Sequence, residues 1–406
     1  MHAELARTYG TPLLVIDTDV LDAALARFGA LASRFDLDVA YAGKALLFVA
    51  LIERLGATPL KLDVCSLGEL VTAERAHFPA DRITMHGCGK TDEELAAAAA
   101  GRVARLVVDH IEELDRLAAA ADTARPVEVL LRLNPGIEAH THAYVRTGGE
   151  DSKFGFSVAD IDTAIARAVA EPRLRLVGIH AHIGSNIFDE KPYEASLAVA
   201  FDAYMRAAAR ATTLRELVIG GGFGVDTRPD GDRIDLEATI ETLAARLGEL
   251  ARRAGIARPR LGIEPGRAIV AEAGASLYRV VTVKRQGSRR FAIVDGGLAD
   301  NPRPALYGAY HHPVAVGRSF AAEFEETTVC GRSCENDQLV IAPLPADLRA
   351  GDLVVLETTG AYTYSMASNY NRFPRPAVVF AGGGSHRVVV RRDSLDDVLR
   401  NDVAGA

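Results

Sequence analysis

The chain has 406 residues, 49% hydrophobic and 25% charged, an ordinary globular balance with room for two domains. A formal net charge of −8 and the lack of a basic stripe argue against nucleic acid as a partner. No apolar run is long enough to cross a bilayer, and the opening MHAELARTYG has no signal-peptide core, so a cytoplasmic protein with no membrane partner is expected.

A strand-like run, TPLLVID (11–17), comes first, ahead of a regular alternation. Eight short apolar runs follow: VAYAGK (39–44), KLDVCS (61–66), ITMHG (83–87), LVVDH (106–110), VEVLLRLNPG (127–136), VGIHAHIGS (177–185), ELVIGGGFG (216–224) and RLGIEPGR (260–267). Between them lie stretches with helical spacing, among them LDAALARFGALASRF, GELVTAERAHF, DEELAAAAAGRVA and IEELDRLAAAAD. Strand–helix alternation predicts a parallel sheet, and eight such units over roughly 250 residues predict a (β/α)8 barrel. An open doubly wound sheet would want a GxGxxG turn after its first strand, and the sequence has none. After about Ala271 helical spacing fades and alternating runs take over, such as SLYRVVTVKRQ, RRFAIVDGG, DLVVLETTG, AVVFAGGG and HRVVVRRDS. The predicted organisation is an α/β barrel over residues 21–270 and a mostly β C-terminal domain over 271–406. Residues 1–20 either add a ninth barrel-side strand or join the β domain.

In barrel enzymes, functional residues gather at the carboxyl ends of the strands. Here those ends carry Lys44, Asp63, Ser66, His86, Arg132, Asn134, His180, His182, Ser185, Gly220, Gly221, Gly222, Glu264, Gly266 and Arg267. A lysine desolvated in such a mouth has a lowered pKa and forms an imine with an aldehyde; taken alone, Lys44 reads equally as a surface lysine. Three successive glycines let backbone amides close around phosphate oxygens, with a following helix adding its positive end, or simply build a tight turn with positive φ. Ser185 could add a hydroxyl and Arg267 a charge. Lysine, phosphate cradle and carboxylate together suit pyridoxal 5′-phosphate (PLP): Glu264 against the pyridine nitrogen keeps it protonated, which favours loss of CO2 from the substrate. The other reading of Glu264 is a partner for Arg267. His180 and His182 share a strand face. A metal pair is the weaker reading because no carboxylate or thiolate lies suitably near, and no metal is expected. An imidazole flat on the pyridine ring suits His182, and a packed structural role suits His180.

The β domain carries three polar clusters: DNPRPALYG with Arg303 and Tyr307, CGRSCEN with Cys334 and Glu335, and TTGAYTYSMASNYNRFPRP with Tyr362. Read alone, they are proline-bounded loops, a core cysteine and a rim carboxylate. The other cysteines, Cys65, Cys88 and Cys330, form no CxxC pair, and no disulfide is expected.

These stretches resemble the diaminopimelate decarboxylase family, PLP enzymes of the alanine-racemase-like barrel class. The resemblance runs from YGTPLLVID to the C-terminal β run. It is most specific in YAGKAL, DVCSLGEL, NPGIEAHTHAYVRTGGEDSKFGF, HAHIGSNI, GGGFG, EPGR, DNPRPALYGA, SCEN and TGAYTYSMASNYNRFPRP. It implies decarboxylation of meso-2,6-diaminopimelate to L-lysine. In that role Lys44 carries PLP as an imine, His182 stacks on its ring, Glu264 meets its nitrogen and Asp63 supports the site. Ser185, Gly220, Gly221, Gly222, Gly266, Arg267 and Tyr362 hold the cofactor, mainly its phosphate. Arg267, Arg303, Tyr307, Glu335 and Tyr362 recognise substrate, with Arg303 and Glu335 matching the carboxylate and ammonium of its far end. Cys334 is the implied acid that protonates Cα. Cys334 and Glu335 reach into the other subunit's site, which implies a homodimer with shared active sites. The chain departs from the family pattern at Asn186, in the CENDQLV continuation and at Thr358 and Thr359. The alternatives are decarboxylation of D-lysine, D-ornithine or L-ornithine, or a PLP-binding homologue without catalysis.

Overall fold

The computed structural model describes residues 1–137, 152–228 and 230–403. Most of the segment between Asn134 and Phe156, including AHTHAYVRTGGED, lies outside the described residues. Two compact units emerge. One comprises Met1–Ala24, Asp226–Gly231 and Ile269–Ala406, the other Leu25–Val225 and Asp232–Ala268.

The first unit opens with the helix His2–Tyr9, followed by its first strand, β1 (Leu13–Asp17). The second is a closed barrel of eight parallel strands. These are β2 (Leu37–Ala42), β3 (Lys61–Val64), β4 (Ile83–Met85), β5 (Arg105–Val108), β6 (Val127–Leu133), β7 (Leu174–Ala181), β8 (Glu216–Val218) and β9 (Arg260–Ile263). They match the eight predicted runs one for one. Each strand is nearly buried along its length, as parallel strands covered by helices must be. Helix starts are set by local chemistry. Ser66 caps the helix Leu67–Arg75, and Thr91 and Glu94 form a capping box for Asp92–Ala99. The helix Leu236–Ala254 stops at Gly255, whose φ of +68° is the left-handed conformation glycine adopts cheaply.

Period-two alternation sends every second barrel residue inward. The resulting interior is polar: Asp38, Lys61, Asp63, Thr84, Arg105, Glu216, Arg260 and Glu264 line a cavity of about 30 Å³ together with Ala40, Val107, Leu130 and Val218. Lys61 pairs with Asp38, and Arg105 with Glu216, so the lower tier is internally neutralised. Another buried ion pair sits behind the strands. The Lys90 ammonium donates to Glu113 at 2.7 Å and to the carbonyls of Gly87 at 2.7 Å and Val107 at 2.6 Å.

The first unit is built on a nine-stranded sheet. Its later strands are β10 (Gly274–Gln286), β11 (Arg289–Val294), β12 (Pro313–Val316), β13 (Phe324–Cys330), β14 (Gln338–Pro345), β15 (Leu353–Leu356), β16 (Ala377–Gly382) and β17 (Ser385–Val390). The path is β14-β13-β11-β10-β1-β16-β17, with β15 pairing both β10 and β12. β1 lies antiparallel to β10 and parallel to β16, so the N-terminal strand belongs to this sheet. Leu13, Val15, Leu277, Val355 and Val379 form one core cluster, and Val280, Val294, Val329, Leu344 and Leu356 belong to a second. Replacing Glu113 by Ala strands the Lys90 charge in the interior. We expect a loss of about 3–5 kcal/mol in urea unfolding, much of it restored by the double change Lys90→Met with Glu113→Leu.

Candidate active site

β2 ends in a 3-10 turn, Gly43–Ala45, that carries Lys44. The small residues around the lysine answer to packing. A Cβ on Gly43 would lie 2.9 Å from the Asp63 carbonyl oxygen, and one on Gly266 would meet Ala45 Cβ at 3.0 Å and the Ala42 carbonyl oxygen at 3.2 Å. The Ala42 amide donates to the Pro265 carbonyl at 3.1 Å. The lysine turn is therefore locked between the ends of its two neighbours, β3 and β9, which carry Asp63 and Glu264. Lys44 itself is exposed, so the desolvation expected from its sequence position is not supplied by the polypeptide around it.

Asp63, His86, His180 and Glu264 form one buried cluster above the barrel cavity. His180 Nε2 lies 3.0 Å from Glu264 Oε2, and His86 Nε2 lies 3.5 Å from Glu264 Oε1 and 3.4 Å from Asp63 Oδ1. The two imidazoles meet edge to face, centroids 5.2 Å apart. Burial and the Glu264 charge push the Asp63 carboxyl well above the usual carboxylate range, against the pull of Lys44, Arg105 and Lys61. Burial also opposes ionisation of Glu264, but the imidazoles of His180, His86 and His182 outweigh it and hold that carboxyl below its usual range. His86 is pushed down to about 3 by burial. His182 is lowered as well, by burial first and then by the Lys44 and Arg132 charges. His86, His180 and Glu264 bring ligand-type atoms within 4.8 Å of one another, but His180 and Glu264 are engaged with each other. His182 is not one of this group.

The glycine run takes the tight, positive-φ turn that is one of its two sequence readings. Gly220 and Gly222 have φ of +73° and +96°. A Cβ on Gly221 would lie 1.9 Å from the Glu264 carbonyl oxygen, and one on Gly222 2.1 Å from that of Gly184. These glycines let three strand-end loops touch. The Gly221 amide points at His182 Nδ1 at 3.4 Å. No helix follows directly: the next begins at Leu236, and Asp235 already caps it. The expected helix end at GGGFG is thus corrected, because the intervening chain runs out through Asp226–Gly231 into the other unit. Arg267 is buried and donates through Nη2 to Ser185 Oγ at 3.3 Å.

The remaining predicted residues lie in the first unit. Arg303 is buried at the start of the short helix Arg303–Tyr307. The Tyr307 hydroxyl faces Met366 Sδ at 3.9 Å. Tyr362 holds a φ of +60°, uncommon for a bulky side chain and often a mark of a functional position. Cys334 and Glu335 are exposed; the Cys334 amide donates to Asn371 Oδ1 at 3.1 Å, and Glu335 accepts from the Tyr370 hydroxyl at 2.5 Å. The sequence places His86 at a strand end without assigning it a role; its position two residues after Thr84, on the inward parity of β4, is the signal for one.

A barrel mouth of this kind, with lysine, buried carboxylates and imidazoles on adjacent strand ends, defines a class of cofactor enzyme. The family model for the pyridoxal-binding domain of pyridoxal-dependent decarboxylases matches residues 21–271. A diaminopimelate decarboxylase of Actinosynnema pretiosum subsp. auranticum is 42% identical over 98% of this chain and 90% of its own length. That of Bacillus subtilis (strain 168) is 39% identical over 98% and 93%. The crystal structure of diaminopimelate decarboxylase from Helicobacter pylori complexed with L-lysine aligns with a TM-score of 0.90 at 31% identity, covering 98% of both chains. The chain belongs to the diaminopimelate decarboxylase family of pyridoxal-dependent decarboxylases.

Because the fold holds His86 neutral while an unfolded chain takes up a proton below about pH 6.5, its contribution to stability is complete above that pH. It is lost as pH falls toward about 3. The urea midpoint of the protein should fall across this window, and His86→Phe should make the fall shallower.

Proposed function

We propose that this chain decarboxylates meso-2,6-diaminopimelate to L-lysine and CO2 with PLP. The observation that carries the reading is Glu264, an ionised carboxylate held by His180 on the strand next to the Lys44 turn. The residues fit the cofactor. Neither Asp63 oxygen has a hydrogen bond among the described residues, and the Lys44 amine is exposed to an incoming aldehyde. When bound, PLP supplies an electron sink for the charge left on the substrate carbon as CO2 departs.

Lys44 would hold the cofactor covalently, and Glu264 would keep a proton at its ring nitrogen. His182 is neutral, so it can lie against the ring without adding charge. Ser185 and Arg267, already joined, would take the phosphate with Gly220, Gly221, Gly222, Gly266 and Tyr362. Arg303 is suited to the far carboxylate of the substrate and Glu335 to its far ammonium; Arg267, Tyr307 and Tyr362 are the further residues we assign to substrate. Cys334 delivers the proton to Cα. The exposure of Cys334 and Glu335 supports a homodimer in which they serve the partner's site. All four cysteines are free, and no described helix is long and apolar enough to cross a membrane, which supports work in the cytoplasm.

Purified protein should bind PLP and release CO2 from meso-diaminopimelate; a protein that does neither defeats the reading. Arg303→Ala should lower kcat/KM about a hundredfold, near 3 kcal/mol, with PLP stoichiometry intact. Cys334→Ala should lower kcat with KM little changed.

A further inference from the structure

His86 Nε2 stands between two carboxylates, 3.4 Å from Asp63 Oδ1 and 3.5 Å from Glu264 Oε1. None of the described residues hydrogen-bonds this nitrogen or either Asp63 oxygen. Two carboxylates buried around one imidazole do not both ionise readily, so they titrate as one system holding one proton. In the resting arrangement Asp63 keeps that proton and Glu264 is the anion, since only Glu264 has the His180 hydrogen bond.

We propose that His86 is a positioning residue through which Asp63 and Glu264 share one proton, so that the barrel already contains the proton the cofactor's ring nitrogen requires. The proposal rests on the PLP reading above. The transfer balances within the cluster. The Asp63 carboxyl gives its proton to Nε2 of the Nδ1–H tautomer, and Nε2 passes that proton to Glu264 Oε1. Asp63 is left as the carboxylate, Glu264 as the acid and His86 neutral again. Glu264 then presents the proton to the ring nitrogen while His180 keeps hold of Oε2.

The surrounding charges favour the anion at both ends, on Asp63 once its proton has gone and on Glu264 at rest, so the proton leaves Asp63 only when the ring nitrogen takes it up. Lys44, Arg105 and Lys61 face Asp63 and favour its anion once the proton has gone. Arg132, Lys90 and His180 face His86 and work against a lasting imidazolium, so the proton does not stop there. His180, His86 and His182 face Glu264. Asp63 comes from β3, His86 follows β4, His180 lies in β7 and Glu264 follows β9, so four strands fix the relay.

The test is PLP affinity, measured by equilibrium dialysis on the full chain stripped of cofactor. It spans the alkaline range in which free PLP loses its ring-nitrogen proton. Wild type carries its own proton and should bind with little dependence on pH there. Asp63→Asn removes the reservoir and must draw the proton from solvent, so its affinity should fall about tenfold more per pH unit than that of wild type. His86→Phe keeps the Asp63 proton but not its route, so its equilibrium slope should match wild type while its rate of PLP uptake, followed by stopped flow, falls as pH rises. An Asp63→Asn slope equal to that of wild type, or a His86→Phe uptake rate equal to that of wild type across the range, overturns the proposal. If wild type meanwhile releases CO2 from meso-diaminopimelate, the functional reading stands and only the relay falls.

Discussion

Eight parallel strands closed into a ring leave alternate side chains nowhere to go but inward, and the rest of the site follows from that constraint. In this chain the inward positions are charged far more than a barrel core usually is. The lower tier consists of Asp38, Lys61, Arg105, Glu216 and Arg260. Nearer the carboxyl ends of the strands come Asp63 on β3, His86 after β4, Arg132 on β6, His180 on β7 and Glu264 after β9. A charge buried in such a space must meet a partner or change its protonation state. Below, the solution is pairing, as in Lys61–Asp38 and Arg105–Glu216. Above, cations are fewer, and protons are redistributed instead: one carboxyl stays protonated, one is ionised, and His86 and His182 stay neutral.

That division explains the character of the mouth. A barrel top filled with salt bridges would be stable and inert. A top whose charges are balanced by movable protons can accept a cofactor that brings its own charged ring nitrogen and phosphate. The glycines serve the same end from the backbone side. At Gly221 any Cβ would collide with the Glu264 carbonyl, and at Gly266 one would press tightly on Ala42 and Ala45. The functional atoms are thereby held on rigid turns, where a small displacement would cost much of the catalytic advantage.

Much of this was legible in the sequence because strand ends announce themselves locally. VAYAGK, KLDVCS and RLGIEPGR each pair a short apolar run with a reactive residue, and the alternation of runs and helices counts the barrel strands. The β unit was less legible. PVAV, FEETTVC and QLVIAPLP form β12, β13 and β14, yet each breaks the apolar alternation with prolines or polar residues; β13 and β14 pair as neighbours, while β12 pairs with β15 about 40 residues further on. His86 was hard to weigh for a related reason: its meaning lies in two carboxylates 23 and 178 residues away in sequence, and no spacing rule links the three. The glycine run invited a phosphate reading that fits its type, while its conformation is already required by the contact with Glu264. Sequence names the residue types; only closure of the ring says which of them share a proton.

The sheet of the first unit draws its central strand, β1, from residues 13–17 and its immediate neighbours, β10 and β16, from residues 274–286 and 377–382. On the ribosome, β1 emerges first and then waits while the whole barrel is translated. At about 5–20 residues per second that wait is at least about ten seconds, during which an apolar strand has neither neighbour. The barrel can close in that interval, since all its strands lie between the two ends. A chain released early would keep its barrel but leave β1 with bare hydrogen-bonding edges, open to pairing with another unfinished chain. Ribosome pausing and chaperone access thus bear on the two halves of the molecule unequally, and completion of the late sheet is the step at which synthesis is most exposed to aggregation.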